Sequence, residues 1–258
     1  MTTGTELPPR PADAAPGRRR PKTRTAATRV AWTWLVLSSL AIAAYAVVPY
    51  LTASLADLSD SGAGLASNYE GRPVVVQAAF YAHIVAGGLA LVIGPFQFWR
   101  GLRDRYRSVH RWMGRAYLAA VAIAGVAGLV MAPFNEAGLV GLFGFGGLAL
   151  LWLVTGWRAY RAIRRRDVAS HRAWMMRNFA LTYSAVTLRL WLGVLVTAQM
   201  LAGGGSVDFG DAFDNAYFAV PFLAWLPNLV VAEWLIRRRG LPSYRISNGA
   251  ETTSPSRG

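Results

Sequence analysis

The chain has 258 residues, of which 54% are hydrophobic and only 16% are charged, and it contains no cysteine. A soluble domain usually carries about a quarter charged residues, so this composition argues against a soluble fold. The lack of cysteine excludes disulfides, thiolate metal sites, iron–sulfur clusters and cysteine nucleophiles. The formal net charge of +14 would be compatible with a nucleic-acid-binding protein. However, no recognition motif or aromatic-interleaved basic face accompanies this charge, and we expect no nucleic-acid partner.

Six apolar segments follow a polar beginning of the chain. Residues 1–29 are rich in Pro, Ala and Arg without apolar periodicity, which predicts a disordered basic tail. Each apolar segment is long enough to cross a bilayer core of about 30 Å as a helix. The segments are 30–53, 74–99, 112–131, 139–157, 174–201 and 216–236. Residues 237–258 are polar and predict a second disordered tail. The sequence therefore predicts an all-α, polytopic membrane bundle of six transmembrane helices over residues 30–236.

Basic and acidic residues separate the two sides of this bundle. With the N-terminus in the cytoplasm and six crossings, every Lys and Arg except Arg72 and Arg189 falls in or beside a cytoplasmic segment. The outer loops hold the acidic residues Asp57, Asp60, Glu70, Glu136, Asp208, Asp211 and Asp214. The positive-inside rule then predicts that both termini are cytoplasmic, in a bacterial cytoplasmic (inner) membrane. Anionic headgroups are the expected partners of the cytoplasmic loops.

His83 lies at membrane depth in the second predicted span. Its neighbours at helical spacing are small or polar: Gly87, Ala90, Gly94 and Gln97. Small residues let helices approach closely in lipid, so this stripe is predicted to face the bundle interior. The imidazole either donates to a neighbouring backbone carbonyl or binds a ligand, and the sequence leaves both readings open.

Arg189 lies at membrane depth in the fifth predicted span. Its stripe contains Asn178, Thr182, Ala185 and Gly193. Glu233 is expected to pair with Arg237, one turn further along the sixth span, which leaves Arg189 without a carboxylate. An arginine near mid-bilayer costs from about 3 to more than 10 kcal/mol. The sequence therefore favours a ligand or a water-filled cavity at Arg189, with backbone carbonyls or an aromatic face as the structural alternatives.

His110 and His171 begin the third and fifth spans from the same side, so topology places them at similar depth. They either anchor the bundle at the interface or form a facing pair, the arrangement that bis-histidine haem ligation requires. In the second case four arginines would meet the haem propionates: Arg111, Arg115, Arg172 and Arg177. His83 is roughly 20 Å away in depth, which excludes a three-histidine metal site.

Several motifs of residues 75–200 occur together. They are His83 with Gly87-Gly88, Gly94-Pro95-Phe96-Gln97-Phe98 with Arg100, His110-Arg111-x-x-Gly114-Arg115-x-Tyr117, His171-Arg172-x-Trp174-Met175-x-Arg177, and Thr187-Leu188-Arg189. This combination resembles a bacterial membrane family catalogued as domain of unknown function 2306. The resemblance implies a multi-pass membrane protein and brings no activity with it.

The histidine layout is more loosely similar to that of cytochrome b561-type proteins, which also have six spans. Those proteins hold two haems, one between helices two and four and one between helices three and five. His83, His110 and His171 match the ligands on helices two, three and five, and helix four has no histidine. The resemblance implies a haem b between His110 and His171 on the cytoplasmic side.

Three functions are compatible with these features, and the histidine layout favours the first. The first is a b561-like redox protein that exchanges electrons with a quinone or a small reductant. The second is a transporter or lipid-handling protein that binds an anionic or carbonyl-bearing ligand inside the bundle. Its candidate contacts are His83, Gln97, Arg189, Asn178 and Thr182. The third is a non-catalytic subunit or assembly factor. No catalytic triad, nucleotide loop or carboxylate pair indicates an enzyme class.

Overall fold

The computed structural model of the chain describes residues 26–62, 65–204 and 206–243. Most of the two predicted tails, residues 1–25 and 244–258, lies outside the described residues. The described parts of the tails differ from the prediction, because the first helix begins at Ala26 and the last ends at Arg238. Arginine is a good helix former, and a helix satisfies its own backbone beyond the apolar core.

Eleven α-helices and one 3₁₀ turn make up the described residues, and no strand occurs in them. The helices are α1 Ala26–Thr52, α2 Leu55–Asp60, α3 Ala66–Glu70, α4 Val74–Gln97, α5 Arg100–Arg105, α6 Arg107–Met131, α7 Gly138–Arg164, α8 Val168–Thr182, α9 Ser184–Ala202, α10 Phe209–Leu223 and α11 Leu226–Arg238. The 3₁₀ turn Ala132–Phe134 follows α6. The architecture is therefore all-α, as predicted.

Six stretches of these helices are long and apolar enough to cross a membrane, which confirms the predicted six-span bundle. They are Thr28–Thr52, Val74–Gln97, Arg107–Phe134, Gly138–Arg164, Val168–Ala202 and Phe209–Arg238. Several extend past the predicted segments, chiefly at the end that holds the connections 98–106 and 165–167 and residues 237–239. We call this the arginine-rich end. The opposite end holds the connections 53–73, 135–137 and 203–208.

Consecutive spans pack side by side around a core of small residues. The packing of α1 on α4, α4 on α6, α6 on α7 and α7 on α8 forms a continuous layer, and α4 also touches α8. Ala90, Ala124 and Ala159 are fully buried where these helices meet. Small side chains at interfaces allow close helix contact in lipid, where apolar surface gives no extra driving force for association. The remaining helices α9, α10 and α11 pack against one another and against α1, α7 and α8.

The fifth and sixth spans are each interrupted. The fifth breaks at Tyr183, between α8 and α9, and the sixth breaks at Ala224 and Trp225, between α10 and α11. The sixth span also contains Pro221 and Pro227. Proline has no backbone N–H and therefore cannot continue the hydrogen-bond ladder of a helix.

The two interruptions are hydrogen-bonded to each other. The Asn228 carboxamide donates to the Ala180 carbonyl at 3.1 Å and to Thr187 Oγ1 at 2.9 Å. Thr187 Oγ1 donates to the Ala224 carbonyl at 2.5 Å. Backbone groups released at a break in a membrane span must find partners inside the protein. Asn228 and Thr187 supply such partners, so the two breaks form one connected structure.

A short lid covers the opposite end between the first two spans. Its helices α2 and α3 bury Leu55, Leu58 and Tyr69 against Phe80 of α4. The rings of Tyr69 and Phe80 stack at 4.6 Å. Burial, followed by the nearby Glu136 carboxylate, raises the pKa of Tyr69 to about 12, so this phenol keeps its proton at neutral pH.

Candidate functional site

A buried polar network joins the third, fourth and fifth spans. The Tyr117 hydroxyl donates to Asn178 Oδ1 at 2.7 Å and lies 2.7 Å from Thr182 Oγ1. Trp152 Nε1 donates to Thr182 Oγ1 at 2.9 Å. Asn178 Nδ2 donates to the Trp152 carbonyl at 2.8 Å and to Thr155 Oγ1 at 2.9 Å. Tyr117 and Asn178 are fully buried, so the network holds the helices together without access to solvent.

The network changes the interpretation of Asn178 and Thr182. The sequence groups both residues with Arg189 as ligand contacts, but the structure bonds them to Tyr117 and Trp152. The break at Tyr183 separates α8 from α9, so the predicted stripe does not continue from one helix to the other. Sequence analysis missed the roles of Tyr117 and Trp152. Aromatic residues in an apolar helix indicate only packing, although Tyr117 does belong to the quoted His110 motif.

A buried ion pair links the fifth and sixth spans near the arginine-rich end. Arg177, only 4% exposed, uses Nε and Nη2 to bind both carboxylate oxygens of Glu233, with the Nη2 bond at 3.0 Å. The expected pairing of Glu233 with Arg237 is therefore wrong. The packing of α11 on α8 brings Glu233 to Arg177, and a bidentate pair is stronger than an exposed i,i+4 pair. Arg177 also lies 4.6 Å from the Trp174 ring.

His110 and His171 both lie at the arginine-rich end, near the beginning of α6 and of α8. His110 lies two helical turns before Tyr117 on α6, and His171 lies two turns before Asn178 on α8. His171 Nδ1 is 2.9 Å from the Ala159 carbonyl. This contact places the proton on Nδ1 and leaves Nε2 as an acceptor or metal ligand.

Two buried nitrogen atoms in this region have no hydrogen-bond partner among the described residues. They are His110 Nδ1 and Gln97 Nε2. Gln97 is 8% exposed, and its oxygen lies beside Gly114, one turn after His110 on α6. Buried polar atoms are normally bonded to protein, water or a ligand. The unbonded His110 Nδ1 and Gln97 Nε2 are therefore candidates for contact with a bound polar group.

The arginines predicted to meet propionates have different surroundings. Arg111 and Arg172 are exposed beside the two histidines. Arg115 is exposed and stacks on Trp112, with its guanidinium carbon 5.0 Å from the ring centre. Arg177 is engaged with Glu233. Arg111 and Arg172 are therefore the two that fit this role.

His83 satisfies one of its ring nitrogens inside the bundle. Its Nδ1 is 2.8 Å from the Ala124 carbonyl, and its ring faces Trp152 with centres 6.4 Å apart. Gly128 leaves room for the imidazole, because a Cβ there would lie 3.2 Å from Nδ1. Burial of Ala90, Gly94 and Gln97 confirms that the predicted stripe faces inward. Trp152 occupies the position opposite His83, where a second haem would need a ligand, so that group does not fit.

Arg189 lies on α9 near the middle of the fifth span. Its Nη1 donates to the Ala185 carbonyl of its own helix at 2.7 Å. Its guanidinium carbon lies 5.9 Å from the Tyr45 ring centre. Tyr50, Tyr217 and His83 are within electrostatic range. Among the residues that the structure describes, no carboxylate is within ion-pair distance of this guanidinium.

The fold and these polar groups define a six-span helical membrane protein with ionisable side chains in its interior. A family model described as "Predicted membrane protein (DUF2306)" matches residues 80–236. This match covers more than half of the chain, which therefore belongs to that family, as the motifs predicted. No curated protein and no solved structure matches the chain.

Proposed function

We propose that the chain binds an anionic ligand through Arg189, in a bacterial cytoplasmic membrane with its arginine-rich end in the cytoplasm. The observation that carries this proposal is the position of Arg189 at membrane depth without a carboxylate among the described residues. Intramembrane charges usually serve ligands, ions or protons, because their insertion is costly. The protein would then be a transporter or a lipid-handling protein.

The hydrogen bonding of Arg189 supports this proposal. A guanidinium has five N–H donors, and Arg189 directs one of them to the Ala185 carbonyl. The remaining donors can hold two oxygens of a carboxylate or phosphate in a bidentate bond. An anion would also neutralise the charge in a medium of low dielectric constant, where the Tyr45 ring gives only a weak cation–π contact.

The helix interruptions offer a second line of support. Substrate sites of membrane transporters often lie where spanning helices are discontinuous. Arg189 is in the second turn of α9, immediately after the break at Tyr183. Thr187, between the break and Arg189, bonds to the break in the sixth span. Movement at either break would therefore be transmitted to the region of the guanidinium.

Replacement of Arg189 by leucine tests the proposal. Purified wild-type protein is titrated with dodecyl phosphate, an anion that partitions into the detergent micelle, while thermal unfolding is recorded. We expect the unfolding midpoint to rise with ligand concentration by mass action. The Arg189→Leu variant should fold and show no rise.

Arg115 provides the matched control, because it is an exposed arginine that stacks on Trp112. The Arg115→Leu variant should respond to dodecyl phosphate as the wild type does. Neutral dodecanol should shift the unfolding midpoint of the wild type and of both variants by the same amount. An equal response of Arg189→Leu and wild type to dodecyl phosphate would show that Arg189 is only structural.

A haem-dependent redox function is the second candidate. It is favoured by the unpartnered Nδ1 of His110 and by the contact of His171 Nδ1 with Ala159, which leaves Nε2 available. His110 and His171 would hold the iron, and Arg111 and Arg172 would meet the propionates. A bound haem b would supply one-electron chemistry toward a quinone or a small reductant.

Absorption spectroscopy tests this candidate without an activity assay. Protein purified from haem-replete cells should show a Soret band and, after reduction, an α band. His171→Ala should remove both bands, because one axial ligand is lost. His83→Ala should keep them, since His83 faces Trp152 instead of the imidazole pair. A colourless wild-type preparation would reject the haem function and leave the Arg189 proposal untouched.

A further inference from the structure

We infer that the ligand of Arg189 is an anionic lipid of the surrounding leaflet, which reaches the guanidinium sideways between α1 and α9. This inference rests on the proposed function and specifies its substrate class. The group that binds the guanidinium would be the phosphate or carboxylate of a molecule with an acyl chain.

Arg189 lies at the margin of the bundle rather than at its centre. Leu190, the next residue, is 57% exposed, and Val186, one turn earlier, is buried. Tyr45, whose ring the guanidinium approaches, is 67% exposed on α1. In a membrane these exposed side chains meet lipid. The guanidinium thus sits at the border between the protein interior and the acyl chains.

The contact between α9 and α1 lies beside Arg189. Val186 packs with Ala43 of α1 and Leu91 of α4 in one buried cluster. Further along, α9 packs chiefly on α10, and Gln199 donates to the Ala212 carbonyl of α10 at 3.0 Å. The later part of α9 therefore follows α10, and Arg189 approaches Tyr45 at the edge of the contact between α9 and α1.

An apolar layer lies between the first two spans at the opposite end of the bundle. At the opposite end, the lid formed by α2 and α3 packs Leu55, Leu58 and Tyr69 against Phe80. A soluble anion entering there would have to pass this apolar layer, where a charge is expensive. Tyr45 lies seven residues before the end of α1 at Thr52, or about 10 Å along the axis. A lipid of the same leaflet would extend its headgroup along this part of α1 to meet the guanidinium.

Photo-crosslinking in nanodiscs tests the lateral route. The full chain carries the photoreactive residue benzoylphenylalanine at position 45 and is placed in equimolar phosphatidylglycerol and phosphatidylcholine. We expect phosphatidylglycerol to be labelled about fivefold more than phosphatidylcholine, as one interfacial basic charge implies. The same residue at position 218, which is 53% exposed on α10, should label both lipids equally.

Variants and a soluble competitor separate the outcomes. Arg189→Leu should abolish the preference at position 45, Arg189→Lys should retain it, and inorganic phosphate should not compete.

If no preference appears, but inorganic phosphate raises the unfolding midpoint of wild type and not of Arg189→Leu, the ligand is a soluble anion. The proposed function then stands and the lipid inference fails. A preference that persists in Arg189→Leu overturns the inference. If Arg189→Leu changes neither the lipid labelling nor the effect of phosphate and dodecyl phosphate on the unfolding midpoint, both proposals fail.

Discussion

Replacement of Glu233 by methionine is expected to destabilise the bundle by about 3 kcal/mol, because it removes the bidentate ion pair of the buried Arg177 guanidinium. Arg177 is 4% exposed, and both of its bonds to Glu233 would be lost. The free energy of unfolding can be measured by titration of the detergent-solubilised protein with sodium dodecyl sulfate. Glu233→Gln keeps the shape and one acceptor, so its cost should be smaller.

The double variant Arg177→Met/Glu233→Met is the decisive comparison. When both charges are replaced by apolar side chains of similar volume, the desolvation penalty disappears together with the attraction. We expect the double variant to be within about 1 kcal/mol of wild type, well short of the sum of the single effects. Additive losses in the single and double variants would show that the two residues are not paired.

Replacement of Asn178 by leucine is expected to cost about 2–4 kcal/mol, since it removes three hydrogen bonds inside the membrane. Asn178 accepts from Tyr117 and donates to the Trp152 carbonyl and to Thr155. Each interhelical hydrogen bond in a membrane protein contributes about 0.6–1.7 kcal/mol. The same dodecyl sulfate titration measures the loss.

Asn215 offers a matched control for this substitution. It is exposed midway along α10, where its carboxamide donates to Gln199 of α9. Asn215→Leu removes this single interhelical bond and should lower the free energy of unfolding by only about 0.6 kcal/mol. Equal stability of the two leucine variants would contradict the buried network between the third, fourth and fifth spans.

The placement of His83 and of the two histidines at the beginning of α6 and α8 was predictable from the sequence. The small residues around His83 predict an inward stripe, and Ala90 and Gly94 are indeed buried. His110 and His171 lie at the same depth on the parallel helices α6 and α8, as their positions at the beginning of the third and fifth spans imply. Helical period and topology are enough to place these residues, and both are properties of one chain segment or of the order of the segments.

The partners of Glu233 and Asn178 were not predictable in this way. Glu233 has an arginine one turn away in sequence, yet the structure pairs it with Arg177 on another span. Asn178 and Arg189 appear on one stripe of a continuous helix, but a break at Tyr183 lies between them. Each residue turns a helix by about 100°, so a single irregular residue moves all later side chains to another face.

Sequence by itself determined that the chain forms six apolar helices with arginine gathered at one end and acid at the other. Those properties follow from the free energy of moving each segment into lipid, which depends on its composition alone. Only the tertiary structure decided which polar groups meet: the network of Tyr117 and Asn178, the Arg177–Glu233 pair, and the isolation of Arg189 beside Tyr45. Contacts between helices depend on their rotation, breaks and close approach, and these are set by packing among distant parts of the chain.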